Sequence, residues 1–323
     1  MIRLTLQWPT MLAGLALACG AALAGGVAPA RPASAPPAPA AAQLEAERAS
    51  VEQWRIQRID SLTSDTGWLT LTALFWLKEG ENTFGRAAGN SLSLDNPALA
   101  EHAGSFELSG QQVRFTANSG SGVTHDDTPV TSLVLAADVT GKPTVLASGP
   151  LRFFIIERAG NLGVRVRDLN NPHRLQFQGL SYFPISTAWV FEARFEPYQP
   201  VRHIKIVNIL GMEEEQESPG AVVFVKNGRD WRLDTVLEQP GDQELFIMFA
   251  DTTSGHETYG AGRFMYVPLP VNGTVRLDFN KAYNPPCALN DFATCPLPPS
   301  QNRLRLRIEA GEKTYVAPDA HAS

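Results

Sequence analysis

The side chains of this chain best suited to chemistry fall in two short stretches. Asp251, Ser254, His256, Glu257, Tyr259 and Arg263 form the first, and Asp278, Asn280, Tyr283, Asn284 and Asn302 the second. An imidazole beside carboxylates can act as a general base or a ligand near neutral pH. Ser254 lies near His256 in sequence, yet a serine nucleophile usually sits on a sharp strand–helix elbow, and no helix follows here. His256 with Asp251, Glu257 or Asp278 offers metal donors without a recognised motif, so no metal and no cofactor is expected. Tyr259, Phe279 and Tyr283 can wall a ligand groove, since aromatic faces beside carboxylates and amides suit sugars and peptides. The structural alternative is a buried fork from Arg263 to Asp251 or Asp278, with Asn280 and Asn302 satisfying loop backbone.

Cys287 and Cys295 add a third element to this region. In an exported protein a disulfide is the natural reading of the pair, and free thiols or a zinc site are its rivals. The spacing is too wide for a Cys-x-x-Cys knuckle, and no second cysteine pair exists. Closing so short a loop would contribute about 2.5 kcal/mol in the chain-entropy model.

The elements that must position these groups are nearly all strands. One helix is expected over residues 43–62, where Leu44, Val51, Trp54, Ile56, Ile59 and Leu62 recur at helical spacing, ended by Gly67. From Trp68 the period changes to two. Strands are expected over 68–77, 91–94, 105–108, 113–116, 132–136, 144–147, 151–157 and 163–168. They resume at 190–195, 203–209, 221–226, 230–236, 244–250, 263–268, 274–279, 303–309 and 314–316. Gly, Asn, Asp or Pro punctuates the gaps, and Lys226-Asn227-Gly228 is a hairpin signal. Many short strands with turns between them predict a mainly β fold: two packed antiparallel β domains of sandwich or barrel type, preceded by one N-terminal helix. Residues 303–309 alternate so that Leu304, Leu306 and Ile308 face a core. Glu213, Glu214 and Glu215 are expected in a solvated surface loop.

The ends of the chain read as an address. Arg3, an apolar run over 11–23 and Ala22-Leu23-Ala24 before Gly25 match a signal peptide. A looser reading makes Cys19 a lipid-bearing cysteine, the only route to a membrane. The Pro/Ala-rich stretch that follows is an extended tether. The expected organisation is a signal peptide at 1–24, a tether at 25–42, a helix at 43–66, β domains at 67–180 and 181–318, and a tail at 319–323. Location is then periplasmic or anchored to the envelope. A formal charge of −6 and scattered basic residues argue against a nucleic-acid partner.

Two resemblances accompany this reading. Gly85-Arg86 and His102 are similar to forkhead-associated domains, phosphothreonine-binding β-sandwiches. Leu99, however, occupies their serine position, and Asn118-Ser119-Gly120 only echoes their later motif. The resemblance implies a sandwich; without the serine and the later amide a phosphate site loses its charge-assisted bonds, and Arg86 is expected instead to pair with a carboxylate. A wider resemblance is to the domain of unknown function 1684 family of bacteria and archaea. It rests on Gly67-Trp68-Leu69, residues 74–77, 163–168 and 251–263, and above all 277–287, which ends in Asn284-Pro285-Pro286-Cys287. Thr294-Cys295-Pro296, Asn302 and Ala310-Gly311-Glu312 complete it, from about Trp54 to Tyr315. The resemblance implies no activity, and no catalytic residue is carried over from it.

Three functions are compatible with these residues. The first is binding of a small polar ligand, glycan or envelope partner at the loops around 251–263 and 278–302. The second is a hydrolase or lyase on an envelope polymer, using Asp251, Glu257 or Asp278 with His256. The third is a non-catalytic scaffold whose polar block is an internal clasp.

Overall fold

The computed structural model describes residues 40–239 and 241–317. The expected signal peptide, Cys19, most of the tether and the tail lie outside the described residues. Helix α1 (Ala40–Thr63) starts inside the expected tether and buries Val51 and Leu62, whereas Ile56 faces solvent. A 3-10 turn over Trp68–Thr70 leads into the sheets.

The first eleven strands are β1 (Leu71–Trp76), β2 (Gly80–Gly85), β3 (Leu92–Ser93), β4 (Gly104–Ser109), β5 (Gln112–Ala117) and β6 (Thr124–His125). They continue with β7 (Thr128–Pro129), β8 (Ser132–Leu135), β9 (Leu146–Ser148), β10 (Leu151–Arg158) and β11 (Asn161–Asp168). They form two sheets, ordered β1-β11-β10-β9-β6-β7 and β3-β2-β4-β5-β8. Phe84, Phe106, Phe115 and Phe153 pack edge-on and tilted in the core that includes residues of both sheets. Arg86 pairs with Glu101, as expected, and His102 Nδ1 lies 3.1 Å from Asn90 Oδ1.

A short helix α2 (Pro172–Leu175), capped by the Asn171 side chain, precedes the second set of strands. These are β12 (Val190–Val207), β13 (Glu213–Lys226), β14 (Arg229–Leu237), β15 (Glu244–Phe249), β16 (Arg263–Pro268) and β17 (Thr274–Asp278). Their order, β16-β15-β14-β13-β12-β17, curls into a nearly closed barrel. Near the seam the chain just beyond β17 is bonded to β16: Phe264 and Tyr283 exchange backbone hydrogen bonds of 2.8 and 2.9 Å. The β13–β14 hairpin turns at Asn227 and Gly228, both at positive φ, as the Asn-Gly signal predicts. Glu213 to Glu215 belong to β13 rather than a loop, because they pair with Lys205 to Val207 of the long strand β12.

Strands β15 and β16 are covered on both faces. Leu245, Ile247, Phe249, Met265 and Val267 enter the barrel interior with Val222, Phe224, Leu233, Leu277 and Phe279. Phe246, Met248 and Phe264 alternate outward and pack beneath Ala293 and Cys295. The expected strand at 303–309 is an irregular segment instead, bent at Arg305 and Leu306. Its alternation holds, with Leu304, Leu306 and Ile308 buried against the barrel core. It pairs with residues 250–252 only as far as Leu306, through the Ala250–Arg303 bridge, the Leu304 N–H bond to Ala250 O and the Thr252 N–H bond to Leu306 O. Residues 314–316 likewise form no strand.

Candidate functional site

The backbone of the 303–312 segment explains what most of the first polar stretch does. Arg263 is wholly buried and donates to the carbonyls of Ile308 (3.1 Å) and Ala310. Its Nη2 lies 3.3 Å from Asp251 Oδ1, and the other Asp251 oxygen accepts the Ile308 N–H at 2.7 Å. The ion pair therefore takes the place of a neighbouring strand, satisfying peptide groups that no ladder reaches. Thr253 and Ser254 hydroxyls also donate to Asp251 Oδ1. Burial pushes the Arg263 guanidinium below its ordinary value, and the Asp251 carboxylate opposes that.

Asn302, Asn284 and Asn280 repeat the device. Asn302 Nδ2 donates to the carbonyls of Asp234 and Met248 at 2.8 and 2.9 Å, and its Oδ1 accepts the Asp234 N–H. Asn280 exchanges bonds with both backbone groups of Ser186. The Asn284 N–H bonds Glu312 Oε2 at 2.7 Å, and Arg58 of α1 reaches the other Glu312 oxygen at 3.0 Å. Gly311 sets this up: at φ +79 its missing Cβ would lie 2.4 Å from Ala282 O. The expected buried pairing of Arg263 with Asp251 is present, through one nitrogen rather than as a fork, and Asn280 and Asn302 satisfy loop backbone as expected.

The remaining members of the first stretch do not join a site. His256 is exposed, and among the described residues no hydrogen bond joins its ring to a carboxylate. Glu257 pairs at the surface with Arg307. Tyr259 donates to the Cys287 carbonyl at 3.2 Å, tying one loop to the other. The two stretches meet, but as a closed clasp. Among the described residues no cluster of three or more His, Cys, Asp or Glu side chains is arranged to hold a metal ion.

The second stretch does reach a cavity, on the outside of the barrel at its seam. Period-two alternation places Tyr266 and Pro268 on the outer face of β16, Arg276 and Asp278 on that of β17, and Glu244 on that of β15. With Lys281, Tyr283 and Trp54 of α1 they line a cleft of about 390 Å³. The helix lies across the seam, fastened by Glu47 to Arg276, Ser50 to Lys281 and Arg58 to Glu312. Tyr266 and Tyr283 lie nearly parallel with ring centres 6.3 Å apart, and Trp54 is 6.3 Å from Tyr283. The Tyr266 hydroxyl donates to Glu238.

Asp278 is the buried carboxylate of this cleft. Its Oδ1 accepts from Asn280 N and Nδ2 at 3.0 and 2.8 Å, capping the turn after β17. Its Oδ2 is buried and has no donor among the described residues. An acceptor left over in this way is the kind of group a bound hydroxyl or amine satisfies. Asp278 and Tyr283 were among the candidates read from sequence; Trp54, Glu244, Tyr266, Arg276 and Lys281 were not. The outward parity of β16 and β17 was available in the sequence, but the closure that brings those edge strands together was not.

The cysteine pair sits beside the clasp. Cys287 and Cys295 are free thiols, so the expected disulfide is not formed, although the Cys287 N–H points to Cys295 Sγ at 3.1 Å.

Comparison with known proteins fits the wider resemblance. No curated protein matches the chain. A solution NMR structure of an uncharacterized protein of Haloarcula marismortui is 29% identical, covering 46% of this chain and 80% of that one, with a TM-score of 0.38. An FHA domain crystallised with the intracellular domain of another protein is 21% identical, covering 29% and 97%, with a TM-score of 0.21. Overlaps this loose transfer no function. The pieces of the family resemblance between Trp54 and Asp168 lie outside the matched stretch. Over residues 175–313, the chain matches the family described as "Protein of unknown function (DUF1684)".

Proposed function

We propose that this is an exported, non-catalytic binding protein that takes a small saccharide into the seam cleft under α1. The observation that carries the reading is Asp278, a buried carboxylate with an unpartnered oxygen in a cleft walled by Trp54, Tyr266 and Tyr283. A sugar ring stacks its C–H face on aromatic rings and donates hydroxyl hydrogen bonds to carboxylates. The cleft volume lies in the usual range for small-molecule sites, roughly 300–1,000 Å³. Lys281 and Arg276 on one side, and Glu244 and Glu238 near Tyr266, add both donors and acceptors at the rim.

Export is supported by the leader pattern at 1–24 and the tether after it. In an oxidising compartment the juxtaposed Cys287 and Cys295 would close as a disulfide. The test of the cleft is titration of the full chain with a panel of mono- and disaccharides, followed by calorimetry and tryptophan fluorescence. Binding of at least one sugar, weakened about tenfold by Asp278→Asn with folding intact, is the expected outcome for loss of a charged hydrogen bond. A blank panel, or a sugar bound equally well by Asp278→Asn and Tyr266→Ala, would overturn the reading. Export is checked by fractionation and N-terminal sequencing of the mature chain, which should begin near Gly25.

A further inference from the structure

The two thiols occupy different environments. Cys287 lies in the Pro286–Ala288 turn and is partly exposed, whereas Cys295 is 4% exposed and packs with Ile206, Val236, Phe246, Met248 and Phe264. The turn is held firmly: Tyr259 donates to the Cys287 carbonyl, and Asn290 Nδ2 donates to the carbonyls of Trp68 and Pro286, each at 3.2 Å. The contact of the Cys287 N–H with Cys295 Sγ fixes the second sulfur against the first residue's backbone.

A buried cation completes the surroundings. Arg165 of β11 is 2% exposed, and its Nη2 donates to Thr294 Oγ1 at 3.3 Å. Its Nε has no acceptor, and no carboxylate forms an ion pair with it among the described residues. A buried guanidinium favours negative charge on whatever adjoins it; Asp138 offsets part of this one's charge, and its field acts on the neighbouring Cys295 sulfur. Hydrogen bonding from Cys295 holds the Cys287 thiol below its ordinary value, while burial pushes Cys295 up. An accessible, more acidic thiol touching a buried, less acidic one is the division of labour found between attacking and resolving cysteines.

We propose that Cys287 and Cys295 form an exchange-active dithiol, with Cys287 attacking an external disulfide and Cys295 resolving the adduct. In the first step Cys287 Sγ bonds one sulfur of the external disulfide, whose S–S bond breaks and whose other sulfur leaves as a thiol. In the second, Cys295 Sγ attacks Cys287 Sγ and expels the remaining half as a thiol. The protein ends as the internal disulfide, two electrons poorer, and the external disulfide is reduced to its thiols with both cysteine protons. The proposal is independent of the cleft; in an oxidising compartment the same two steps run in reverse, from the internal disulfide to an external dithiol that becomes oxidised.

Glutathione disulfide is the probe, added to the reduced full chain and followed by intact mass and peptide mapping. Wild type should reach the internal disulfide with release of glutathione, and Cys295→Ser should stop at a mixed disulfide on Cys287. Cys287→Ser should react at least about tenfold more slowly, because Cys295 is buried. Brief N-ethylmaleimide labelling of the native, unmutated chain needs no variant and should modify Cys287 before Cys295. Equal labelling of both cysteines would overturn the proposal. So would an internal disulfide that dithiothreitol reduces only after unfolding, which would mark a static brace.

Discussion

Replacing Asp251 with alanine should destabilise the fold by about 4 kcal/mol while leaving the seam cleft untouched. Both side chains of the Asp251–Arg263 pair are fully shielded from solvent, so the deletion takes away the guanidinium's ion-pair partner and leaves it only the field of Glu312. Breaking a buried pair in this way costs roughly 3–5 kcal/mol. The Ile308 N–H also loses its acceptor, a buried orphan worth about 1–3 kcal/mol, and the two terms overlap because one carboxylate serves both. Arg263 keeps its bonds to the Ile308 and Ala310 carbonyls, which sets the estimate near the middle of the first range rather than at the sum. Urea unfolding measures the change as a shift in midpoint at constant slope. The paired replacement Asp251→Leu with Arg263→Met should recover part of the loss, since an apolar pair leaves no charge behind. A loss below about 1 kcal/mol for Asp251→Ala would refute the view that this pair substitutes for a missing strand.

Further predictions concern the rest of the clasp and the surface around it. Asn302→Ala should cost about 3 kcal/mol in the same assay, because it orphans the Asp234 N–H and removes a donor from two buried carbonyls. Gly311→Ala should cost about 2 kcal/mol or more, since a Cβ there meets Ala282 O at a left-handed φ. His256→Ala and Arg307→Ala should leave the melting temperature unchanged, as both residues are exposed.

Much of the architecture was legible because strand periodicity is local. Alternation placed β10, β11, β14, β15, β16 and β17 nearly where they lie, and the Asn227-Gly228 turn fixed one hairpin. The segment 303–309 shows where that logic stops. Its alternating burial was correct, but strand identity depends on a partner backbone, and beyond Leu306 side chains from Asp251 and Arg263 fill that role. The same non-locality hid the cleft. Asp278 and Tyr283 stood out as polar and aromatic groups near a turn. Tyr266 and Trp54, by contrast, looked like ordinary strand and helix residues until the barrel seam and α1 brought them together. Conversely, Asp251, Arg263 and Asn302 looked like chemistry because polar groups that replace backbone partners resemble those that bind substrates.

Hydrogen–deuterium exchange of the full chain, with and without a bound saccharide, tests most directly whether the seam is where ligand sits. Protection should appear in peptides spanning 50–58, 264–268 and 276–283, and leave 252–258 unchanged. Protection centred on 252–258, with the seam peptides unmoved, would contradict the assignment and return the polar loop to candidacy as the site.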